Sequence, residues 1–465
     1  MNKLTELIKN DMKPALGVTE PGAIAFAVAT AKEKTTGKII KVEVALNSGM
    51  YKNAFTCGIP NSANFGNLYA AGLGAVAARA DLGLESLAYI TKEDDDKASE
   101  LVDAGIIDVH MDHFGSEITI EACVKTENDI CTVYIRDSHT NIVKIVLNDE
   151  VIFEKNSENN NDNNYNFGSE NCDNDKYSEN TNNTNNTNNI NNSEINNNSA
   201  KAGDSPAPLI HKYSLQEIFD YVESVDAKEI SFIQDAFTMN LELLDEGLNS
   251  DRAQIAKNLY KANGNKLISD DDLATAQLMC NGAIEARVLG LSKPAMSITG
   301  SGAHGIIATM PLYAYNAVHN GTENNEKLLR ATALSYLICM YIKEYSGKLS
   351  AFCGCGIAAG TGTACGLAYL MGANKDQLEL CIQNMSAGLT GMICDGGNHG
   401  CAMKGIVATD AAFRCAKFAI NNVAIEGIHG INGLNAEDTM RNMGLIASPG
   451  MVKTEETIVE IMQNK

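Results

Sequence analysis

Apolar and polar residues follow two different periods along this chain. Between Lys38 and Leu147 the period is near two. Lys38-Ile-Ile-Lys-Val-Glu-Val-Ala-Leu, Glu117-Ile-Thr-Ile-Glu-Ala-Cys-Val, Cys131-Thr-Val-Tyr-Ile-Arg and Asn141-Ile-Val-Lys-Ile-Val-Leu alternate or concentrate β-branched residues. Such runs predict strands, and the last three predict a meander. Helical spacing surrounds them. Met1 to Lys13 is amphipathic, Thr19-Glu-Pro-Gly-Ala opens a helix with Pro21 where its missing N–H is harmless, and Asn64 to Leu82 is an Ala/Gly-rich helical stretch.

From Tyr213 onward the spacing is helical throughout. Ser214-Leu-Gln-Glu is a capping box before Ile218-Phe-Asp-Tyr-Val, and apolar residues recur through Ile230–Leu248, Leu273–Leu291, Leu328–Ile342, Ile357–Leu370 and Ala402–Ile420. Dense Ala and Gly let such helices cross closely. The fold expected is α+β: an N-terminal α+β domain over 1–155, then an all-helical domain over 201–465, which carries the chemistry. Between them, 21 of the 45 residues at 156–200 are Asn and almost none is apolar. A tract of this kind buries too little surface to offset its ordering entropy and is expected to be a disordered insert. Cys172 inside it is no metal ligand.

Composition narrows the function. A chain of 465 residues with 45% hydrophobic content exceeds what one core usually serves. A formal charge of -22 argues against nucleic acid and anionic membranes as partners, since both attract basic patches. The first residues lack the continuous apolar stretch of a signal peptide, and the longest apolar run, Ala331 to Ile342, is too short to span a bilayer. A cytoplasmic protein with reduced thiols is expected, and its Ala/Gly-rich helix faces suit a homodimer.

The candidate chemistry lies between Cys353 and Cys401. Cys353-Gly-Cys-Gly opens this stretch, and Cys394-Asp-Gly-Gly-Asn-His-Gly-Cys401 closes it. Glycine beside cysteine lets backbone approach an inorganic cluster closely, and thiolates are the usual holders of iron–sulfur clusters. Two other readings stand beside this one. Free cysteine fills helical cores well, which is the reading for Cys339, Cys365, Cys381 and Cys415, and the tight ferredoxin spacings are absent. Cys353, Cys355, Cys394 and Cys401 would also compose a zinc site. Elsewhere, Gly300-Ser301-Gly302 before a helical stretch offers backbone N–H groups to an anion such as a substrate carboxylate, with His304 two residues on.

Cys353-Gly-Cys-Gly-Ile-Ala-Ala-Gly-Thr-Gly, Cys394-Asp-Gly-Gly-x-x-x-Cys, Gly300-Ser-Gly-Ala-His-Gly-Ile and Ala15-Leu-Gly-Val-Thr-Glu-Pro-Gly-Ala-Ile-Ala resemble the L-cysteine desulfidases, relatives of the iron–sulfur L-serine dehydratase alpha chains. The resemblance spans nearly the whole chain outside the insert. It implies a 4Fe–4S cluster on Cys353, Cys394 and Cys401 with one iron open, and Cys355 as the other choice for the first ligand. It also makes site candidates of Thr19 and Glu20, which by physics alone are an ordinary helix start, and raises Gly300, Ser301, Gly302 and His304. His399, two residues before Cys401, would lie near the cluster.

Two positions depart from the family's pattern. Val18 stands where the family has a cysteine proposed as base or active-site thiol, and Asn398 where it usually has lysine. The implied activity is pyridoxal-independent β-elimination from a small L-amino acid, cysteine before serine. With no proton carrier at Val18, the expected catalytic residues are His304, His399 and Glu20, and Thr19 with Gly300–Gly302 would bind substrate. A cluster-bearing amino-acid sensor without turnover is the non-enzymatic alternative.

Overall fold

A computed structural model describes residues 2–155, 208–323 and 325–465. It is α+β, with a sheet-and-helix N-terminal region followed by a mostly helical one. The Asn-rich insert expected at 156–200 lies outside the described residues.

Among the described residues, eight strands form two sheets: β1 Lys13–Leu16, β2 Ile39–Asn47, β3 Ile107–His113, β4 Thr119–Thr126, β5 Ile130–Arg136, β6 Ile142–Leu147, β7 Glu150–Glu154 and β8 Pro294–Ser297. The larger sheet has the order β3-β2-β4-β5-β6-β7. Its β4-β5-β6 core is the expected meander, and β2 joins it antiparallel to β4 and parallel to β3. Register places Val44 opposite Ala122, Ala122 opposite Val133 and Val133 opposite Ile145. This buried row forms one face. Helices Thr19–Lys32 and Asn67–Val76 cover that face and pack on each other. The first is buried on every side up to Ala31, which explains its lack of an amphipathic pattern.

The helix expected over Asn64–Leu82 is shorter than the pattern implied. It ends at Val76, and the chain passes into a 3₁₀ segment, Ala80–Glu85, interrupted where Gly83 takes a positive φ of 56°. The Leu273–Leu291 pattern likewise stops as a helix at Val288, with Gly290 left-handed just beyond it.

Helices Asp272–Val288, Gly302–Asn320, Glu326–Ser346, Gly360–Leu370 and Gly400–Ala419 pack together as the centre of the helical region. Close crossing is visible at Gly362, where a Cβ would fall 2.2 Å from the Ser335 carbonyl oxygen. The capping box at the helix Leu215–Ser224 forms as read, with Ser214 Oγ accepting from the Glu217 amide.

A strand pair and a helix contact are among the links that join the N-terminal segment to the helical region. Strand β1 pairs antiparallel with β8, Lys13 opposite Ser297, and Ser297 Oγ donates to the Lys13 carbonyl at 2.7 Å. The last helix, Val452–Gln463, packs on the short helix Ser48–Ala54 that follows β2. These links bring the segments 17–20, 52–57 and 299–304 to the cysteine-rich stretch. Among the described residues, no helix is long and apolar enough to cross a membrane.

Candidate active site

The two cysteine segments are stitched together by backbone. Phe352 and Ile393 form an isolated antiparallel bridge, the Cys353 amide donates to the Met392 carbonyl at 3.1 Å, and the Cys394 amide donates to the Ala351 carbonyl at 2.6 Å. After Cys353 the chain enters a π turn, Cys355–Ala359, before settling into the helix Gly360–Leu370. Single π turns inside helices often mark functional sites. The glycines here have a packing reason. A Cβ on Gly356 would lie 2.3 Å from Met392 Sδ and 3.5 Å from Cys353 Sγ, so a larger residue would have to displace the Met392 side chain.

The thiols act on one another. Cys353 is pushed well above the ordinary thiol range by its hydrogen bond with Cys355 and by burial. Burial and then the neighbouring Cys394 push Cys401 up to about 11. Burial also raises Cys394, with Lys52 pulling the other way and Cys353 adding to the rise. Thiols that destabilise each other's thiolates in a desolvated pocket form a donor set suited to a multivalent cationic centre, which relieves that repulsion. Among the described residues, three donor atoms within 4.8 Å of one another occur only at Glu43, Asp108 and His110 on β2 and β3. A tetrahedral zinc site would need thiolates roughly 3.8 Å apart, so the four cysteines are spread more widely than mononuclear zinc requires. Cys353, Cys394 and Cys401 raise one another's thiols and so lie close enough to act as one donor set.

Lysines frame this set, and no motif announced them. Lys52 is buried, and its Nζ donates to the carbonyls of Ser350 at 3.0 Å and Cys394 at 3.1 Å while pairing with Glu455 at 2.9 Å. The pair lies off the hydrogen-bonding direction, so Glu455 Oε2 receives no directed hydrogen bond. Lys404 pairs with Asp395. Burial alone would lower the Lys404 ammonium, but the Asp395 bond and the Cys401 and Cys394 thiols overcome it and raise it. Asn398, where the resemblance would put a lysine, instead accepts from the Gly400 amide at 2.7 Å and braces the start of the helix Gly400–Ala419. Lys404 therefore brings to this loop a cation that position 398 does not.

The loop before helix Gly302–Asn320 adds His304. Its Nδ1 is hydrogen-bonded to Thr299 Oγ1, and a Cβ on Gly354 would lie 2.6 Å from its Nε2, which sets the ring against the Cys353–Cys355 turn. Burial first, then Lys343 and Arg287, push His304 down to about 3. Asp11, whose carboxyl is raised by burial, accepts from the Thr299 amide at 2.6 Å and backs this loop. Gly300 is left-handed at φ 74°, and Ser301 sits at the helix N-cap without capping it by its side chain. Beneath the helix start lies Arg287, buried, with its Nε 2.5 Å from where a Gly302 Cβ would be and without a hydrogen-bond partner.

The 17–20 turn closes the arrangement. Val18 packs on Gly397, and Thr19 Oγ1 donates to the Gly300 carbonyl at 3.5 Å. Glu20 Oε1 accepts from Asn53 Nδ2 at 2.9 Å, and the Asn53 carbonyl accepts from the Gly397 amide at 3.0 Å. At 3.9 Å from Glu20 Oε1 stands His139 Nε2, from the turn between β5 and β6. The Cys57 thiol senses several of these groups. It is raised well above its usual range by burial and then Glu20, with Arg287 opposing and Cys401 adding to the rise.

Of the residues singled out from sequence, Thr19, Glu20, Gly300, Ser301, Gly302, His304, Cys353, Cys394 and Cys401 thus adjoin one another. His399 is exposed at the N-cap of its helix. Lys52, Asn53, His139 and Arg287 escaped sequence reading because none belongs to a motif. The one signal available was a charged or imidazole side chain in an otherwise apolar, small-residue context, as at Arg287 within Ala-Ile-Glu-Ala-Arg-Val.

The serine dehydratase alpha chain family model matches residues 81–460. The chain belongs to that family. Relatives matched over nearly their full length include chains named "UPF0597 protein". One from Clostridium botulinum (strain Okra / Type B1) is 39% identical over 99% of this chain and 98% of its own. Others come from Clostridioides difficile (strain 630), 32% identical over 99% of both chains, and Caldanaerobacter subterraneus subsp. tengcongensis, 33% identical over 99% of this chain and 98% of its own.

Proposed function

We propose that this chain is a pyridoxal-independent lyase that eliminates the β-substituent of a small L-amino acid, with L-cysteine as its substrate and L-serine as the alternative. The observation that carries this reading is the backbone-bridged pair of cysteine segments, against which the 17–20 turn and the 299–304 loop both pack. Cys353, Cys394 and Cys401 would hold a 4Fe–4S cluster. Bound there, such a cluster would supply a Lewis acid for the substrate carboxylate or the departing substituent.

The chain's own residues do the rest. Arg287 and the amides opening helix Gly302–Asn320 receive the carboxylate, a charge-assisted arrangement at a helix N-terminus. His304 stays neutral at neutral pH. With Nδ1–H donated to Thr299 Oγ1, its Nε2 is left to accept the Cα proton. As that proton leaves, the Cβ–S bond breaks and sulfide departs, giving aminoacrylate, which tautomerises and hydrolyses to pyruvate and ammonia. With serine the leaving group is water.

A sensor that binds amino acid without turnover is the second reading, favoured by valine at position 18. Anaerobic reconstitution with iron and sulfide, followed by iron content and a pyruvate assay, separates the two. Turnover supports the lyase. Binding without pyruvate from either amino acid supports the sensor.

A further inference from the structure

Next to the cysteine loop lies a buried polar cluster of Glu20, Asn53 and His139. Glu20, whose side chain is 10% exposed, forms ion-pair contact among the described residues only with His139. Two atoms around it are buried and lack hydrogen-bond partners, His139 Nε2 and Asn53 Oδ1. The Asn53 amide orientation is fixed by chemistry, because Nδ2 must face the Glu20 carboxylate to which it donates at 2.9 Å, leaving Oδ1 as the free end. Burial, opposed by Glu20 and helped by Lys348, holds the His139 imidazole below its usual range, so the ring is neutral and a nitrogen can accept.

A carboxylate with an amide group and a neutral imidazole both set against its Oε1 matches a group that is positively charged and carries three N–H donors. A buried carboxylate without a full cationic partner is costly, and so are buried acceptors without donors. One primary ammonium answers all three needs. Potassium or sodium would be satisfied by the oxygens but gains little from the imidazole nitrogen, a poor ligand for hard cations.

The geometry points to Glu20, Asn53 and His139 as the receptor for the α-ammonium of the amino-acid substrate. This rests on the proposed amino-acid chemistry of the neighbouring cysteine site and specifies how that site selects its substrate. The Asn53 backbone bonds directly to Gly397, between Cys394 and Cys401, so the ammonium pocket adjoins the cysteine loop. Arg287, whose charge opposes that of Glu20 at the Cys57 thiol, would serve the opposite charge of the same zwitterion. Position 53 thereby couples amine recognition to the loop that carries two of the thiols.

L-alanine and propionate test this. They differ in the ammonium alone, and neither has a leaving group, so binding is read without turnover. By isothermal titration of the reconstituted protein, L-alanine should bind at least about tenfold more tightly than propionate, the scale expected for charge-assisted hydrogen bonds. Glu20→Gln and, as the variant less disruptive to packing, Asn53→Ala should abolish that preference while leaving propionate affinity unchanged. His139→Gln, which keeps an acceptor oxygen at the end of its side chain, should retain more of the preference than His139→Leu. Equal losses for both ligands would mean a merely structural role and overturn the assignment. So would an unchanged preference in Asn53→Ala, or displacement of L-alanine by potassium chloride beyond an equal concentration of choline chloride. The outcome is distinct from that of the elimination assay. A protein with this amine preference but no pyruvate release keeps the pocket and loses the lyase. A protein that releases pyruvate with amine preference intact in the variants keeps the lyase and loses the pocket.

Discussion

Val18 lies directly against Gly397: a Cβ on that glycine would come within 2.7 Å of Val18 Cγ1 and 3.1 Å of Cγ2. Position 18, where the resemblance would put a cysteine, therefore faces the loop between Cys394 and Cys401. Val18→Cys should raise pyruvate formation from L-cysteine, because it sets a proton-carrying group at that contact, at a stability loss of about 1 kcal/mol for the shortened buried side chain. Gly397→Ala should lower stability by about 1–3 kcal/mol through overpacking and weaken cluster retention. Urea denaturation and the pyruvate assay read both. An unchanged rate in Val18→Cys would mean that position 18 has no part in proton transfer.

Lys52 ties the carbonyls of Ser350 and Cys394 to Glu455 on the last helix. Replacing it by methionine removes both carbonyl bonds and leaves the Glu455 carboxylate buried without its cation. The expected loss is about 3–5 kcal/mol. Adding Glu455→Gln should recover part of it, since the unpaired charge is then gone. A Lys52→Met loss below about 1 kcal/mol in urea denaturation, with iron retention unchanged, would remove Lys52 from this role.

Cys353, Cys394 and Cys401 should each be required for iron, whereas Cys339, Cys365, Cys381 and Cys415 should not. The second set lies among helices, where Cys365 bonds to Cys381 and raises it, an arrangement met by packing alone. Alanine variants reconstituted anaerobically and assayed for iron per chain separate the groups. Cys355→Ala decides the first ligand, since Cys355 bonds to Cys353 in the protein.

His304 also makes a prediction about pH. Its folded-state value of about 3 lies below the ordinary 6.5, so between those values the unfolded chain binds the extra proton. This residue's contribution to stability is thus present above about 6.5 and is lost as pH falls toward 3. Asp11, raised by burial, works in the opposite sense. In iron-free protein, His304→Gln should flatten the rise of melting temperature with pH between about 4 and 6.5. A slope identical to that of the parent would show that His304 is not held neutral.

What could be read from the chain follows from how local the signal is. Alternation exposed β4, β5 and β6, and the Ser214–Glu217 box exposed a helix start, because both patterns lie within a few residues. Strand β3 stayed hidden because Asp108, His110, Asp112 and His113 crowd a half-exposed edge, and its parallel partner β2 lies far away in sequence. The pairing of β1 with β8 spans most of the chain in two four-residue strands, too short to declare themselves. At the site, glycine-flanked cysteines and the Gly300–His304 loop could be found as motifs. Lys52, Asn53, His139 and Arg287 could not, since their meaning comes from burial and from unsatisfied atoms that only the packed chain creates.

The central claim, that the bridged cysteine segments support elimination from an amino acid, is tested most directly by one assay. Protein reconstituted anaerobically with iron and sulfide, then freed of excess sulfide, is given L-cysteine, and pyruvate and new sulfide are measured together. Equal amounts of both products, absent from the Cys394→Ala variant handled identically, are predicted. A native protein that holds a full complement of iron yet releases neither pyruvate nor sulfide from L-cysteine, nor pyruvate from L-serine, would contradict the account.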